Sequence, residues 1–223
     1  QQLQSLTIQT YQSWRLLVRN NGSNDQTLSI LEQFQNQHSK ERVHIVNTTK
    51  NINKVKMVIS DVDGVWTDGA IYKGGNGLEL KKFCVTDGAG VAILRQAGLK
   101  LALISGRFSE ATAERASELK IEDLYNGTLN KIPPYNELKV KYNLSDDEIA
   151  YVGDDLIDIP VMNLVGVPIA TDNASSLCKA AALYVTKNSG GNGAFREAVE
   201  WILSKQGVLE KTLEELRVKV QGQ

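Results

Sequence analysis

The stretch ISDVDGVWTDG, residues 59–69, joins an apolar run to two closely spaced aspartates and a glycine turn. The run begins as KMVIS (56–60), and Asp61 and Asp63 follow at its carboxyl end. Two carboxylates this close repel each other unless a cation lies between them, and neither has a basic neighbour in the sequence. The pattern therefore favours a hard metal ion as the counter-charge. An ordinary Asp-Gly turn is the alternative.

Four more apolar runs of strand length follow this stretch, and each is apolar on both faces, as in strands buried in a parallel sheet. They are LALIS (101–105), IAYVG (149–153), VPIAT (167–171) and LYVT (183–186). Helical patterns lie between them at 88–97, 109–119 and 173–182, the last with Asn173 as a possible N-cap. The alternation predicts an α/β fold with a doubly wound, Rossmann-like parallel sheet, which binds ligands outside the carboxyl ends of its strands.

The rest of the chain departs from this alternation. Residues 70–85 predict a β-hairpin around a GGNG turn. Residues 191–219 predict one or two helices with a break at Gly207. Residues 1–52 are rich in Gln and Asn and contain no proline. We therefore predict three parts: an N-terminal extension (1–52), a main domain (53–205) and a C-terminal helical tail (206–223).

The composition excludes several classes of function. Lys and Arg number 25 and Asp and Glu 26, a balance that argues against a nucleic-acid-binding protein. Cys84 and Cys178 form no C-x-x-C pair, which excludes a zinc ribbon. His38 and His44 lie near the start, so chemistry further along runs without histidine. No apolar stretch reaches the roughly 18–20 residues of a membrane span, and no signal-peptide pattern precedes the fold. We expect a cytoplasmic protein without a nucleic-acid or membrane partner.

A second acidic motif, YVGDDLID (151–158), also ends a predicted buried strand. It places Asp154, Asp155 and Asp158 on the same edge of a parallel sheet as Asp61. Acidic residues favoured at a helix N-terminus are the alternative, and they account for Asp155 and Asp158. They do not explain why two strands end in aspartate at one edge, whereas a carboxylate cluster that binds Mg²⁺ does.

Two polar residues are candidates to bind an anion. Ser105 ends the strand in LISGR (103–107), where a hydroxyl and the N–H groups of the next helix form an anion site. Lys131 follows NGTLN (126–130) and precedes two prolines. Each signal is weak by itself. A lone lysine, in particular, is usually a solvated surface charge.

Taken in order, D-x-D-G, Ser, Lys and G-D-D-x-x-D resemble the haloacid dehalogenase superfamily of phosphatases, over about residues 54–204. With IYKGGNGLELKKF, DGAG and SGGNGAFRE, the chain is similar to the 3-deoxy-D-manno-octulosonate 8-phosphate phosphatases. It is also similar to the sialic-acid-type (KDN) 9-phosphate phosphatases and to the phosphatase-like domain of some acylneuraminate cytidylyltransferases. The resemblance implies a Mg²⁺-dependent hydrolase that acts on an acidic sugar phosphate through an aspartyl-phosphate intermediate.

The resemblance also implies a role for each candidate residue. Asp61 would be the nucleophile and Asp63 the general acid and base. Mg²⁺ would be bound by Asp61, the backbone carbonyl of Asp63, and Asp154. Asp155 and Asp158 would orient metal-bound water and Lys131. Phosphate would be held by Ser105, Gly106 and Lys131, and the rest of the substrate would be contacted by Thr67, Asp68, Arg107 and Arg196.

The spacing of the motifs leaves no room for a large cap domain. Asp61 and Ser105 are 44 positions apart, and Lys131 and Asp154 are 23 apart. The family instead forms a tetramer in which hairpins pack together and a neighbour's tail covers the site. We therefore expect a homo-tetramer formed through the hairpin 70–85, with residues 188–196 closing a neighbour's site. A hairpin packed on its own domain is the alternative.

Two departures leave the substrate and the N-terminal extension open. Octulosonate phosphatases usually carry Arg where this chain has Thr86, so a nine-carbon sugar 9-phosphate is an alternative substrate. Residues 1–52 resemble a fragment of a family 2 glycosyltransferase, with QTY-x-x-W, but Asn20 and Asn21 replace that family's aspartate pair. The extension is therefore expected to be non-catalytic. A second hypothesis makes the chain a phosphatase-like part of a larger sugar-nucleotide pathway protein, with an assembly role.

Overall fold

The structure is a computed structural model that describes residues 16–20, 27–38, 43–47 and 52–222. It divides into two compact units, residues 1–50 and 51–223. In the first unit, β1 (Leu16–Asn20) and β2 (Val43–Asn47) pair in parallel and are joined through helix α1 (Thr27–His38). This is a β-α-β arrangement. The QTY-x-x-W pattern and Asn21 lie outside the described residues.

The second unit is a six-stranded parallel sheet with helices and one hairpin. Its strands, including the hairpin strands β4 and β5, are β3 (Met57–Ser60), β4 (Tyr72–Lys73), β5 (Glu79–Leu80), β6 (Lys100–Ser105), β7 (Asp123–Asn126), β8 (Ile149–Gly153), β9 (Val167–Ala170) and β10 (Tyr184–Val185). Its helices are α2 (Val85–Gln96), α3 (Glu110–Glu118), α4 (Ile132–Tyr142), α5 (Ile159–Met162), α6 (Ser176–Ala181), α7 (Ala194–Lys205) and α8 (Leu209–Gln221). The sheet order is β10-β9-β8-β3-β6-β7, which confirms the doubly wound α/β prediction.

Apolar side chains cover both faces of this sheet. Along β3, Val58 belongs to one core layer, and Met57 and Ile59 belong to the other, because successive strand residues point to opposite faces. Trp66 stacks on Phe195 in the first layer, with ring centroids 4.2 Å apart. Each fully buried large apolar side chain contributes about 1.5–3 kcal/mol. The two layers fix β3 at the centre of the sheet.

The hairpin and the helical break at Gly207 are confirmed. Tyr72 lies opposite Leu80 in an antiparallel pair, and the turn at 74–78 includes Asn76 with a φ of 56°. Gly207 has a φ of 72°, in the left-handed region that favours glycine, and it separates α7 from α8. Within residues 52–222 the hairpin is the insert between β3 and α2, and no cap domain is present.

Three details of the prediction are corrected. Helix α6 begins at Ser176 with Ser175 as its N-cap, whose Oγ accepts a hydrogen bond from the Cys178 N–H at 3.3 Å. Asn173 is therefore not the cap. Strand β7 and helix α4 were not predicted, and α2 begins earlier than expected, at Val85. In the described part of the chain, no helix is both long and apolar enough to cross a bilayer.

Candidate active site

The carboxyl ends of three adjacent strands meet at one edge of the sheet. Strand β3 lies between β6 and β8, and its last residue, Ser60, is level with Leu103 and Val152. Asp61 follows β3 directly and donates its backbone N–H to the Val152 carbonyl at 2.9 Å. Ser105 ends β6, and Asp154 follows β8. Parallel pairing therefore brings three predicted site residues to one edge.

The loop after Asp61 is shaped by Gly64. This residue has a φ of 85°, and a Cβ there would lie 2.0 Å from Asp154 Oδ2. The Gly64 carbonyl accepts hydrogen bonds from Asn173 Nδ2 at 3.0 Å and from Thr171 Oγ1 at 3.3 Å. Only glycine combines this backbone with so close an approach of the Asp154 carboxylate. The D-x-D-G turn thus makes room for an acidic residue from another strand.

Three carboxylates converge behind this loop. Asp61, Asp154 and Asp158 each offer one oxygen atom, and these atoms lie within 4.8 Å of one another. Burial, reinforced by the neighbouring carboxylates, raises the pKa of Asp61 to about 7 and that of Asp154 to about 8. Such repulsion between buried carboxylates is relieved by a divalent cation, and oxygen ligands are those that Mg²⁺ prefers. The donor set therefore fits a magnesium ion.

The Asp158 carboxylate accepts hydrogen bonds from four groups of the protein. Its Oδ1 accepts hydrogen bonds from Lys131 Nζ and from the Tyr151 hydroxyl, both at 2.6 Å. Its Oδ2 accepts the backbone N–H groups of Asp154 at 2.9 Å and of Asp155 at 3.1 Å. Asp158 thus fixes Lys131 and the Asp154 loop, which leaves Asp61 and Asp154 to face a cation. The Asp155 side chain itself is exposed.

Lys131 is a buried cation within this group. Its residue is 1% exposed, and its Nζ lies 2.8 Å from Asp61 Oδ1 and 2.6 Å from Asp158 Oδ1. Burial acts to lower the pKa of Lys131, but the carboxylates of Asp61 and Asp158 outweigh it and hold the pKa above its ordinary value. Lys131 therefore stays positively charged beside Asp61.

A cavity of about 260 Å³ opens onto this edge. Its polar and glycine lining residues include Asp61, Asp63, Asp154, Gly106 and Arg107. Three aliphatic side chains also line it: Ile71, Leu129 and Ile157. The Ser105 side chain is buried, and its hydroxyl donates to the Arg107 carbonyl at 2.8 Å.

Asp63 is held by a residue that the sequence did not single out, Lys81. The Lys81 ammonium lies 2.6 Å from Asp63 Oδ1 and 2.9 Å from Asp63 Oδ2, and it donates to Thr112 Oγ1 at 3.1 Å. Its side chain is 1% exposed, whereas that of Asp63 is 32% exposed. The signal that could have found Lys81 is the alternation after the turn, where Leu78 and Leu80 are exposed and Glu79 and Lys81 point inward.

Of the four predicted substrate contacts, Thr67 and Asp68 stabilise the loop and the hairpin, and Arg107 lines the acidic cavity. Thr67 is buried, and its Oγ1 accepts the backbone N–H of Gly69 at 3.2 Å, so it stabilises the loop itself. Asp68 accepts hydrogen bonds at the base of the hairpin, including one from the Tyr72 hydroxyl at 2.9 Å. Arg107 lines the acidic cavity and pairs with Glu79 of the hairpin.

Arg196 lies elsewhere in the chain. Its Nε donates to Glu200 Oε1 at 2.7 Å, and its side chain lines a separate cavity of about 530 Å³ beside Ala89 and Leu213. The structure therefore does not bring Arg196 to the acidic cavity within one chain. Thr86 is exposed beside Gly193, so no cation stands at that position.

The SGGNG segment, residues 189–193, packs against the D-x-D-G loop of its own chain. Gly191 donates its N–H to the Val65 carbonyl at 3.0 Å. A Cβ on Gly190 would lie 1.9 Å from the Gly64 carbonyl oxygen. These glycines therefore support the loop beside Asp61 within one chain, and closure of a neighbour's site by residues 188–196 stays a prediction.

The parallel sheet and its acidic edge are those of a haloacid dehalogenase-like hydrolase, the family model that residues 102–197 match. The chain belongs to the KdsC phosphatases of this class. It is 41% identical over 168 residues to 3-deoxy-D-manno-octulosonate 8-phosphate phosphatase KdsC of Salmonella typhi. The matched region covers 75% of this chain and 88% of that protein. The family, the fold class and the phosphatase activity expected from the sequence are confirmed.

Two solved structures are similar to this chain over most of their length. The phosphatase of the same name from Yersinia pestis is 41% identical, with a TM-score of 0.70, covering 74% of this chain and 89% of that chain. The Moraxella catarrhalis phosphatase, solved with a magnesium ion, a phosphate ion and KDO, is 35% identical, with a TM-score of 0.72, covering 75% and 96%. Residues 1–66 match a second family model, glycosyl transferase family 2, as the N-terminal resemblance indicated.

Proposed function

We propose that this chain hydrolyses 3-deoxy-D-manno-octulosonate 8-phosphate, with Mg²⁺, to the free sugar acid and inorganic phosphate. The observation that carries the proposal is the buried Asp61 carboxylate, which shares one edge of the sheet with Asp154 and contacts Lys131 at 2.8 Å. The names of the relatives supply the substrate. A purely structural assembly role is not favoured, because it would not require these buried charges to be kept together.

Mg²⁺ would be held by the carboxylates of Asp61 and Asp154 and by the backbone carbonyl of Asp63. When bound, it neutralises the charge that builds up as an anionic nucleophile meets an anionic phosphate. Lys131, the Ser105 hydroxyl and the Gly106 N–H would hold the phosphate oxygens. Asp158 keeps Lys131 in place through a contact of 2.6 Å.

The reaction would proceed in two displacements at phosphorus. An Asp61 oxygen forms a bond to phosphorus while the bond to the sugar oxygen breaks, and that oxygen leaves with the electron pair and takes a proton from Asp63. Water then attacks the aspartyl-phosphate and gives a proton to Asp63. The bond from phosphorus to the Asp61 oxygen breaks, and the electron pair returns to the carboxylate. Asp61 and Asp63 are thus both restored.

The cation proposed to meet the sugar carboxylate is Arg107. It lines the acidic cavity, and its pairing with Glu79 keeps the guanidinium in place beside the hairpin. A nine-carbon sugar 9-phosphate is the alternative substrate, because Thr86 offers no charge where related enzymes usually carry arginine. Thr67 and Asp68 are proposed to act on the substrate only through the loop and the hairpin that they stabilise.

A phosphate-release assay over a panel of sugar phosphates tests the proposal. The panel contains the eight-carbon 8-phosphate, the nine-carbon 9-phosphate and glucose 6-phosphate, each with Mg²⁺ and with EDTA. We expect Mg²⁺-dependent release with the highest kcat/KM for the eight-carbon acid. Equal kcat/KM for all three would contradict the substrate assignment, and release that persists in EDTA would contradict the role of Mg²⁺.

We also propose the assembly and the division of the chain. The hairpin exposes Ile71, Leu78 and Leu80, each more than half exposed, and an exposed apolar patch of this kind is typical of an interface. A homo-tetramer formed through this face would cover the cavity. The half-buried Phe83, in contrast, packs against the core of its own domain.

Two further proposals concern the whole chain. One is a cytoplasmic location, and the other is that the N-terminal extension, residues 1–52, has no catalytic function.

A further inference from the structure

The hairpin reverses the usual arrangement of polar and apolar side chains. Leu78 and Leu80 point to solvent, while Glu79 and Lys81 point toward the domain. The Lys81 ammonium is enclosed between Asp63 on the catalytic loop and Thr112 on α3. A lysine from an insert thus contacts the residue proposed as general acid and base.

Stability does not explain this placement. Removing an ammonium from water costs several kcal/mol, and its attraction to a carboxylate recovers this only with good geometry. A methionine at position 81 would fill similar space without that cost. The pair joins an enclosed ammonium to a carboxylate that is 32% exposed, so its contribution to stability is small, whereas its two contacts restrain the carboxylate. The orientation fixed here is that of the Asp63 carboxylate.

We propose that Lys81 is a positioning residue that holds the Asp63 carboxylate for proton transfer; this rests on the proposed function. Two oxygen contacts at 2.6 and 2.9 Å restrain rotation of the carboxylate. Thr67 Oγ1, at 3.5 Å from Oδ1, adds only a weak contact. The Thr112 hydroxyl, at 3.1 Å, anchors the ammonium from the far side. Lys81 itself neither gives nor takes a proton.

The first measurement compares Lys81→Met with wild type on the sugar phosphate. The variant keeps an unbranched apolar side chain and loses only the ammonium. Because correct placement of a general acid or base is worth about 10²-fold or more, we expect kcat to fall about 30-fold to 100-fold, with KM within threefold. Lys81→Arg should recover part of this loss. Lys211→Met, on α8 with a side chain that is 79% exposed, is the control and should leave kcat unchanged.

The second measurement uses p-nitrophenyl phosphate, whose leaving group departs without a proton. Formation of the aspartyl-phosphate then needs no help from Asp63, whereas its hydrolysis still does. Rapid mixing of Lys81→Met should therefore give a burst of p-nitrophenolate close to one equivalent per active site, and acid quenching should trap phosphorylated protein. A lysine with a merely structural role would lower the burst and the steady rate together.

Two outcomes overturn the proposal while wild type remains active. One is kcat within twofold of wild type for a folded Lys81→Met. The other is a lowered kcat without a burst or trapped phosphoprotein. If Lys81→Met does not fold, as judged by circular dichroism, Thr112→Val replaces it and should give a smaller burst of the same kind; no burst there also overturns the proposal. A wild type without Mg²⁺-dependent phosphate release defeats the proposed function instead.

Discussion

Lys131 and Asp158 form an ion pair with a distance of 2.6 Å between Nζ and Oδ1, and neither side chain is exposed to solvent. Asp158 also accepts the Tyr151 hydroxyl and two backbone N–H groups of the 154–155 loop. One carboxylate therefore fixes both a cation that faces Asp61 and the loop that carries Asp154. Two motifs that lie far apart in the sequence become one site through this contact.

The first prediction follows from this pair. Asp158→Asn should lower the free energy of unfolding by about 3–5 kcal/mol, because it leaves Lys131 short of one buried counter-charge. It should also reduce kcat at least tenfold. Urea unfolding and phosphate release measure the two effects. Asp147→Asn is the control, since this side chain is 61% exposed and its ion pair is a surface one. Equal effects of the two variants would contradict the role of Asp158.

The second prediction concerns the nucleophile. Asp61→Asn should abolish turnover and leave the fold intact, because an amide does not displace a leaving group from phosphorus. The substitution removes a negative charge that repels Asp154 and Asp158, but it also removes one counter-charge of Lys131. The metal-free variant should therefore lose less stability than Asp158→Asn. Turnover is measured by phosphate release and folding by circular dichroism. Activity within tenfold of wild type would remove Asp61 from this role.

The third prediction separates steric contact from backbone strain at Gly64. Gly64→Ala should strongly weaken Mg²⁺ binding and activity, because the new Cβ would lie 2.0 Å from Asp154 Oδ2. Gly98→Ala is the matched control: its φ is 78°, close to the 85° of Gly64, but no other atom lies within 4 Å of its Cβ position. It should lose some stability and keep its affinity for Mg²⁺. Calorimetric titration with Mg²⁺ compares them, and equal affinity in both would contradict the prediction.

Much of the fold could be predicted because its signals are local. Five of the six sheet strands are apolar runs, and their alternation with helices fixes the parallel topology. Strand β7 was missed because its sequence, DLYN, begins and ends with polar residues and lies at the sheet edge. Helix α4 was missed because Pro133 and Pro134 look like helix breakers, whereas in the first turn they replace N–H groups that have no partner.

Only part of the candidate site could be predicted from the sequence. Asp61, Asp154 and Ser105 follow strands or end them, so strand order alone brings them together. Lys81 could not be found this way, because its contact with Asp63 depends on how the hairpin folds back over α3. The role of Asn173 was misjudged for a similar reason. Its position before a helical pattern suggested a cap, whereas its side chain contacts the Gly64 carbonyl, which is distant in sequence.

The fourth prediction is a pH dependence of stability without metal. The raised pKa values of Asp61 and Asp154, about 7 and about 8, lie above the ordinary value of 3.8. The folded protein therefore binds more protons than the unfolded chain between about pH 4 and pH 8, so its free energy of unfolding falls as pH rises through that window. Mg²⁺ binds the ionised carboxylates and opposes the fall.

Thermal unfolding in EDTA and in Mg²⁺ measures this dependence. For a domain of this size, each kcal/mol lost lowers Tm by about 2–4 °C. We expect Tm in EDTA to be lower at about pH 8 than at about pH 6, and the gain from Mg²⁺ to be larger at the higher pH. In Asp61→Asn both trends should shrink. A gain from Mg²⁺ that does not grow with pH would contradict the assignment of these carboxylates.

The last prediction tests the hairpin as an interface. Leu80 is 57% exposed on the apolar face of the hairpin, opposite the side that carries Lys81. If that face packs against a second copy, Leu80→Asp buries a charge there and should reduce both the oligomer mass and kcat/KM for the sugar phosphate. Val140→Asp is the control, because Val140 is 82% exposed on α4, outside the hairpin. Light scattering gives the mass of each variant. Activity on p-nitrophenyl phosphate should fall less than activity on the sugar phosphate, because a small aryl ester uses fewer contacts beyond the phosphate. An active wild-type monomer whose sugar-phosphate efficiency is unchanged by Leu80→Asp would rule the interface out.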